Sequence, residues 1–504
     1  MVMLKIGWSR RDVSTDKPVM IPGQMYMRVS KGVKDPIMLN CLALENDGEL
    51  VVFMSGDFVS AAGVISEIRD AVKAKRPDFP VEKILFNVTH THCGPLITEH
   101  MHSRVPHPGL EVTSRDEYME FFLEQASQAV LEAYDNLAEG AIAYGYGYAV
   151  VGHSRRVTYF DDVSLRPENQ TSGPKNLFVH GHAMMYGNTN DTQFNGYEGG
   201  ADHYVNLMYT FDQAGKLTGA IINVPCPSQN SEAESYLTSD YWADVRRILR
   251  AKYGDIGILS QCAAAGDSAP RTLHYRQAQD RRYRLKYEDH VQDPDLRKPY
   301  ENLNRLEIAE RICNAFDEVL SWAKKELIRD AKVVHSVRNV PLERRLFSRE
   351  LYETCKEELA KLEDIPWVQS DDPAKDFFDN TWNMSGIGRY KGVISRYESQ
   401  ESAPETFVEL HAIRVGDVAF ASNPFELYTD YQHRIQARSP FVQTFIVQLC
   451  STPKGEFRAG YLATERAQAN LGYSAAIYDN QVSPAGGQTL VEETLADLNR
   501  IYGE

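Results

Sequence analysis

Patterns typical of β-strands alternate with patterns typical of amphipathic helices along the whole chain. Two apolar runs enclose the turn Asn46-Asp-Gly48, which predicts a β-hairpin, and an apolar run over residues 84–89 predicts a further strand. Ser114 and Glu117 form a capping box that opens a long helix. The chain contains neither repeats nor a compositional break. Residues 1–504 are therefore predicted to form one large α/β (mixed α+β) domain, with mixed sheets flanked by helices.

Three segments depart from this alternation. Residues 271–300 are strongly charged and are predicted to form a solvated helical insertion rather than a binding patch. Residues 364–404 carry Trp367 and Trp382 and are predicted to form an irregular insertion. Residues 152–200 are rich in Gly, Asn and His and have little periodicity. Since a loop of that length inside a compact domain is more often functional than idle, it is a candidate for substrate binding.

Composition limits the classes of partner. The chain holds 54 Lys and Arg against 70 Asp and Glu, a net charge of −16, and an acidic field of this size repels nucleic acid and anionic membrane surfaces. No run approaches the roughly 20 apolar residues that a membrane span requires. The first residues lack the features of a signal peptide, and the seven scattered cysteines are an odd number. These observations predict a cytoplasmic protein with a small-molecule substrate, and they leave a homo-oligomer open.

The most informative segment is the predicted strand that leads into His90 and His92. Because side chains alternate along a strand, both imidazoles are predicted to project from one face, just before the break at Gly94-Pro95. That arrangement suits a metal ligand beside an acid/base group. It also suits two hydrogen-bonded structural histidines, and His-x-His alone favours this second interpretation. Another His-x-His, His180 with His182, lies in the long loop.

Three further segments offer candidate residues. Cys226 stands between two prolines after a strand, a rigid presentation of a thiolate, although a small buried hydrophobe is the usual role of a free cysteine and is favoured here. Glu426 follows Pro424 at a predicted helix start, either as an acid favoured by the helix dipole or as a ligand. Ser268 lies in the turn 266–270 without a Gly-x-Ser-x-Gly elbow, so a nucleophilic serine is not indicated.

Read in chain order, these segments resemble the neutral/alkaline (non-lysosomal) ceramidase family. Residues 89–95 read Thr-His-Thr-His-Cys-Gly-Pro, nearly the Thr-His-Thr-His-Ser-Gly-Pro of that family, and this segment alone is specific. The ordered set is much stronger and spans nearly the whole chain. Its other members are Gly7-Trp-Ser-Arg-Arg-Asp12, Gly32-Val-Lys-Asp-Pro36, Gly152-His-Ser-Arg-Arg156, Gly266-Asp-Ser-Ala-Pro270, Asn423-Pro-Phe-Glu426 and the tyrosine-rich stretch from Tyr461 to Ser474.

The resemblance implies the fold of the ceramidase N-terminal domain and the activity of a zinc amidase, in which a zinc-activated water attacks an amide. Carried over to this chain, His90 and Glu426 would be zinc ligands. Tyr473 would be a weak ligand or a partner of the oxyanion. His92 would assist proton transfer, and Arg155 would hold the carbonyl oxygen.

Two positions depart from the family pattern. Cys226 stands where the family has its second histidine ligand. Thiolate binds zinc well, so a site made of His90, Cys226 and Glu426 is chemically sound, although a second anionic ligand makes zinc a weaker Lewis acid. Ala269 stands where the family has a serine, so any role of that serine is lost or shifted.

The signal peptide and the C-terminal β-sandwich domain of the family are expected to be absent, which favours a soluble substrate over ceramide. The leading hypothesis is a zinc-dependent hydrolase that cleaves an amide bond. The alternatives are a metal-dependent hydrolase of a carbohydrate-type substrate and a non-catalytic binding protein with a decayed site. Polar residues in and around the long loop are predicted to bind the substrate: His153, His182, Asp202, His203 and Asp267.

Overall fold

A computed structural model describes residues 2–167, 181–287, 300–455 and 460–504. Most of the strands belong to two sheets. In chain order the strands are β1 (Lys5–Asp12), β2 (Met20–Ile21), β3 (Arg28–Val29), β4 (Met38–Asn46), β5 (Glu49–Gly56), β6 (Ile84–Val88), β7 (Ala138–Tyr148), β8 (His153–Ser154), β9 (Arg156–Tyr159), β10 (Ala183–Met185), β11 (Phe194–Tyr197), β12 (Tyr204–Asp212), β13 (Leu217–Val224), β14 (Gly257–Cys262), β15 (Ser268–Ala269), β16 (Val333–Glu343), β17 (Glu405–Val415), β18 (Val418–Ser422), β19 (Glu426–Leu427), β20 (Gln443–Val447) and β21 (Tyr461–Leu462).

Several helices begin at a side chain that caps the first turn. Ser114 Oγ accepts from the backbone N–H of Glu117, as the capping box predicts. Asp372 accepts from the N–H of Lys375, with Pro373 at the first helical position. The helices are α1 (Val64–Lys75), α2 (Arg115–Asp135), α3 (Tyr241–Tyr253), α4 (Arg276–Lys286), α5 (Tyr300–Ala323), α6 (Arg349–Glu363), α7 (Pro373–Ser399), α8 (Thr429–Arg438), α9 (Glu465–Asn470) and α10 (Pro484–Gly503).

The larger sheet has eight strands in the order β14-β13-β12-β7-β1-β4-β5-β6. Its pairs are antiparallel except at the two edges, where β5–β6 and β13–β14 are parallel and are connected through α1 and α3. The predicted hairpin is formed by β4 and β5, in which Asn46 pairs with Glu49. Gly48 in its turn has a φ of 85°, a left-handed conformation that glycine adopts without a steric penalty.

The two sheets pack face to face, and helices cover their outer faces. α1 and α2 cover one half of the larger sheet, and α3 and α5 cover the other half. Its inner face meets the sheet β16-β17-β18-β20, where the rings of Phe53 and Phe420 lie 4.8 Å apart between centroids. α8 and α10 cover the outer face of that second sheet. Since both faces of the larger sheet are covered, β4 and β5 are buried along almost their whole length, whereas β16 and β17 alternate over part of theirs. The mixed α/β class is confirmed.

The prediction of an irregular segment at 364–404 is wrong, because most of this segment forms the 27-residue helix α7. Most buried positions of α7 recur every three to four residues, but they include Asn380 and Thr381. Thr381 donates its hydroxyl to the carbonyl of Phe377 in the preceding turn, so its polar group is satisfied within the helix. A search for apolar periodicity therefore misses the buried face of α7.

The charged segment 271–300 contains the predicted helix, α4, which is largely exposed apart from the buried Tyr283. Residues 288–299 of this segment lie outside the described residues. Across the described part of the chain, no helix combines the length and apolar character that a bilayer span needs.

Candidate active site

His90 lies in a strained turn after β6. The strand was predicted to continue through both histidines, but it ends at Val88. His90 has a φ of 64°, a left-handed conformation that residues with a side chain seldom adopt. Asp57 anchors this turn, because its carboxylate accepts from the hydroxyl of Thr89 at 3.2 Å and from Arg246 at 2.6 and 3.0 Å. A buried ion pair, rather than strand alternation, therefore positions the histidine segment.

His90 and Glu426 face each other. His90 Nδ1 donates to the carbonyl of Val59 at 2.8 Å, which leaves Nε2 directed at Glu426 Oε2, 3.4 Å away. Glu426 begins β19 and is largely buried. Burial raises the pKa of Glu426, but the charge and hydrogen bond of His90, together with Arg155 and Tyr461, outweigh burial and lower it below its usual value. The carboxylate is therefore ionised at neutral pH.

His92 packs against His90. Their Nε2 atoms lie 3.3 Å apart, and the two rings are nearly perpendicular. Nε2 of His92 also lies 2.7 Å from the side-chain nitrogen of Gln229, and its Nδ1 lies 3.4 Å from that of Gln24. Burial, the charge of His90 and the charge of Arg28 lower the pKa of His92 well below its usual value. The ring is therefore neutral.

Arg155 lies behind Glu426. Its Nη2 is 3.8 Å from Glu426 Oε2 and donates to the carbonyl of Gly266 at 2.9 Å and to the hydroxyl of Tyr461 at 3.4 Å. Its Nη1 donates to Gln229 Oε1 at 3.1 Å. The side chain is only 2% exposed. Arg155 is therefore a fixed buried cation that touches the groups around the two histidines.

Two tyrosines complete the cluster. Tyr461 begins β21, which pairs in parallel with β19 so that Tyr461 lies directly opposite Glu426, and its hydroxyl bonds the carboxylate. Tyr473 meets the ring of Tyr461 edge-on, with 5.8 Å between centroids. Burial raises the pKa of Tyr473 to about 12, so its phenol stays protonated. The sequence resemblance indicated Tyr473 but not Tyr461, although Tyr461 opens the tyrosine-rich stretch.

A cavity of about 330 Å³ opens beside this cluster. Its described walls bring together four predicted residues, His90, His92, Glu426 and Tyr473. Arg155 is not among the described wall residues, so it reaches the cavity only through Glu426 and Tyr461. The remaining polar wall residues are Gln24, Ser60, Glu67, Thr98, Glu99, His100, Lys454 and Tyr461.

The same architecture occurs in solved ceramidase structures. The crystal structure of the neutral ceramidase from Pseudomonas aeruginosa superimposes with a TM-score of 0.64 over 99% of this chain and 75% of that chain, at 15% sequence identity. This chain has the neutral ceramidase fold. A ceramidase complexed with C2 gives the same TM-score and identity over 99% of this chain and 76% of that one. No protein-family model and no curated protein matches the sequence. The resemblance is therefore confirmed at the level of the fold.

Within this neutral ceramidase fold, Cys226 does not join the two facing residues. Its thiol donates to the carbonyl of Val151 at 3.4 Å and lies in the apolar cluster around α3 and α5. Burial raises the pKa of Cys226 well above its usual value, so the thiolate that zinc requires is disfavoured. The described residues contain no group of three or more His, Cys, Asp or Glu side chains that could hold a metal. The predicted set of His90, Cys226 and Glu426 is not assembled.

The residues predicted to bind substrate do not belong to the described walls of this cavity. The carboxylate of Asp267 accepts from the N–H and the hydroxyl of Thr429 at 3.1 and 2.8 Å, and Asp202 accepts from Gln432 at 2.5 Å. These two acids thus have structural partners. His180 lies outside the described residues. The five residues away from the cavity are His153, His182, Asp202, His203 and Asp267.

The donor chemistry of the facing pair fits the zinc ion that the resemblance implies. An imidazole Nε2 without a proton and a carboxylate Oε2 are both acceptors, so at 3.4 Å the pair is satisfied either by a cation between them or by a proton on Nε2. Two ligands that each lie about 2.0–2.2 Å from one tetrahedral zinc are about 3.4 Å apart. The bond from Nδ1 to the carbonyl of Val59 is the usual orienting contact of a metal-binding histidine. The fit uses His90, Glu426 and the Tyr461 hydroxyl, without a cysteine.

Proposed function

We propose that this chain is a zinc-dependent hydrolase that cleaves an amide C–N bond of a small, soluble substrate. The observation that carries the proposal is the facing pair of His90 Nε2 and Glu426 Oε2, 3.4 Å apart on the wall of a cavity in a neutral ceramidase fold. Imidazole and carboxylate are ligands that catalytic zinc sites use while leaving a position open.

His90 and Glu426 would hold the ion, with the hydroxyl of Tyr461 as a weaker third donor. Zinc bound there would polarise the substrate carbonyl and lower the pKa of a water molecule towards neutrality. The chain already orients both ligands, because Val59 fixes the ring of His90 and Tyr461 bonds the carboxylate of Glu426. The charge and hydrogen bond of His90, followed by the charge of Arg155, lower the pKa of that carboxyl against its burial.

The remaining wall residues supply proton transfer and charge stabilisation in this proposal. His92 lines the cavity as a neutral ring beside His90, within reach of a reacting group there, and acts as the general base. Tyr473 lines the same cavity as a protonated phenol and donates to the carbonyl oxygen as negative charge develops on it. Arg155 lies behind the wall, so its role here is to position Tyr461 and Glu426 rather than to touch the substrate.

The cavity favours a small polar substrate. A volume of about 330 Å³ is near the lower end of ligand pockets, which span about 300–1,000 Å³. Gln24, Glu99 and Lys454 give its described walls polar groups with hydrogen-bond donors and acceptors. This supports a short-chain amide over an amide with two long alkyl chains.

The test is a hydrolysis panel on the purified full chain in three states: as isolated, after chelation, and after addition of zinc. Short N-acyl amides, ceramide and aryl glycosides are the substrates. We expect hydrolysis of the short amides, its loss on chelation and its recovery with zinc. Hydrolysis that survives complete metal removal, or cleavage of the glycosides alone, would contradict the proposal.

A further inference from the structure

Arg156 follows Arg155 in the chain and contacts the other tyrosine of the cavity wall. Arg155 donates to the hydroxyl of Tyr461 at 3.4 Å, whereas Arg156 donates to the main-chain carbonyl of Tyr473 at 2.9 Å. Arg156 begins β9, and its side chain is fully buried. Two consecutive arginines therefore each hold one of the two tyrosines.

The guanidinium of Arg156 has a partner for each of its five N–H groups. Glu198 accepts two of them side-on, from Nε at 2.5 Å and from Nη2 at 3.1 Å. Nη2 also donates to the carbonyl of Leu471 at 2.7 Å, and Nη1 donates to the carbonyl of Tyr473 and to Ser474 Oγ at 2.9 and 3.5 Å. Only a planar fork of donors can make this set of contacts, so lysine is not equivalent here.

The segment that Arg156 holds, residues 471–474, is a strained turn, named here the tyrosine turn. Leu471 and Ser474 have φ angles of 58° and 75°, left-handed conformations that residues with a side chain seldom adopt. Such conformations persist only where the surrounding structure holds them. Because Arg156 bonds two carbonyls inside this turn, its loss would let the backbone relax around Tyr473.

Glu198 ties the guanidinium to a sheet outside the cavity. Its N–H donates to the carbonyl of Arg156 at 3.1 Å, and its carboxylate accepts from Asn470 Nδ2 at 2.9 Å, directly before the tyrosine turn. Glu198 follows β11, which pairs with β9 in the sheet β10-β9-β11. No residue of these three strands is among the described wall residues of the cavity. This sheet therefore supports the cavity wall from behind.

We propose that Arg156 is a positioning residue that holds the phenol of Tyr473 at the cavity. The proposal rests on the proposed hydrolase function, in which Tyr473 donates to the carbonyl oxygen of the substrate. Arg156 is not among the described wall residues, so it acts through the tyrosine turn. A misplacement of about 1 Å at a reacting group can lower a rate by about 10²-fold, so a relaxed turn has a catalytic cost.

The first experiment is a double-mutant cycle on the full chain, with turnover on a short N-acyl amide as the readout. Arg156→Lys keeps the charge opposite Glu198 but removes the planar fork. We expect it to lower turnover by roughly 10–100-fold, and we expect no further loss when it is added to Tyr473→Phe, because Arg156 acts through the phenol. An equal loss with and without the phenol, or wild-type turnover in either single variant, would overturn the proposal.

Arg69 offers a matched control. It forms another buried two-point pair, with Glu409, at 2.8 and 3.0 Å, and neither residue is among the described wall residues of the cavity. Arg69→Lys should leave turnover close to the wild-type value, with or without Tyr473→Phe. A loss as large as that of Arg156→Lys would show that weakening any buried ion pair lowers turnover, which would overturn the positioning role.

Amide hydrogen exchange measures the hold on the turn without activity. The N–H groups of Ala475 and Ala476 both donate to the carbonyl of Gly472, so their exchange, read by mass spectrometry, reports whether the tyrosine turn is closed. We expect protection in the wild type and in Arg69→Lys, and exchange about tenfold faster or more in Arg156→Lys. Unchanged exchange in Arg156→Lys would overturn the proposal. Unprotected amides in the wild type would do so even if Arg156→Lys does not fold.

The two proposals fail separately. A chain without amidase activity would refute the hydrolase function, and the exchange rates would still decide whether Arg156 holds the tyrosine turn. An active amidase in which Arg156→Lys changes neither turnover nor exchange would refute only the positioning role.

Discussion

Glu426 Oε2 lies 3.4 Å from His90 Nε2, although His90 lies in the turn after β6 and Glu426 lies in β19 of the two-stranded sheet β19-β21. His90 follows β6 at one edge of the larger sheet, and Glu426 follows β18 of the second sheet. The pair therefore forms only when the sheets pack on each other, and Tyr461 and Arg155 fix it from behind. The site depends on the packing of the whole domain rather than on one local motif.

The Tyr461→Phe variant tests the third donor. Removing the hydroxyl takes away the bond to Glu426 and should weaken zinc binding by roughly 10–100-fold, the usual effect of losing a group that orients a ligand. Competition against a chelating dye measures this. Tyr186→Phe is the control, because Tyr186 contacts Arg155 and is not one of the proposed zinc donors. Equal zinc affinity in the two variants would contradict the assignment of Tyr461.

His92→Ala tests the proposed base. Turnover on a short amide should fall by roughly 10²–10⁴-fold while the zinc content stays at the wild-type level, because His92 lines the cavity without being one of the proposed ligands. Steady-state kinetics and elemental analysis on the same preparation measure both quantities. Loss of zinc together with activity would make His92 a ligand instead.

Cys226→Ala tests whether this cysteine is a structural residue. Its thiol lies in the apolar cluster around α3 and α5 and donates to Val151, so we expect unchanged zinc content and a loss of unfolding free energy of roughly 0.5–3 kcal/mol. Elemental analysis and urea denaturation measure these effects. A zinc-free Cys226→Ala protein that is otherwise folded would restore Cys226 as a ligand.

Glu409 gives a prediction for acid stability. Its carboxylate accepts hydrogen bonds from Arg69 at 2.8 and 3.0 Å and from His411 at 3.1 Å. Burial raises the pKa of Glu409, but the hydrogen bonds from His411 and Arg69 outweigh burial and lower the pKa to about 2. The pKa of Glu409 in the folded protein lies below its value of about 4.5 in the unfolded chain. The ionised carboxylate therefore stabilises the fold fully above about pH 4.5, and this stabilisation is lost as the pH falls towards 2. The gap corresponds to roughly 3 kcal/mol.

Urea denaturation between about pH 2 and pH 7 measures this effect in the wild type and in Glu409→Gln. The variant should be less stable at neutral pH, and its unfolding free energy should change less between pH 4.5 and pH 2. Parallel curves for the two proteins would show that Glu409 does not carry this acid dependence.

The sequence predicted the fold class and four of the residues on the cavity wall, but not how they are held. Strand alternation extended β6 through His92, whereas the strand ends at Val88 because Asp57 and Arg246 hold the next residues in a turn. That ion pair joins distant parts of the chain, so no local period reveals it. Tyr461 was missed for a similar reason, since only the pairing of β19 with β21 brings it to Glu426.

Position in an ordered motif also did not predict where a side chain lies. The sequence resemblance assigned Cys226 to the position of a family ligand, yet its thiol lies in the apolar cluster against Val151. The pattern of 364–404 predicts an irregular segment because its helix buries Asn380 and Thr381, which do not contribute to an apolar period. In both cases the outcome depends on tertiary contacts that composition and spacing do not record.

The metal content of the purified chain tests the central claim most directly. Elemental analysis after zinc addition and exhaustive dialysis should find close to one zinc per chain in the wild type. The double variant His90→Asn with Glu426→Gln, which keeps the size of both side chains, should retain almost none, while Asp202→Asn serves as a buried control outside the cavity. Zinc bound by the wild type and lost only from the double variant is the result we predict. A folded wild type that binds no zinc, or a double variant that keeps it, would contradict the account.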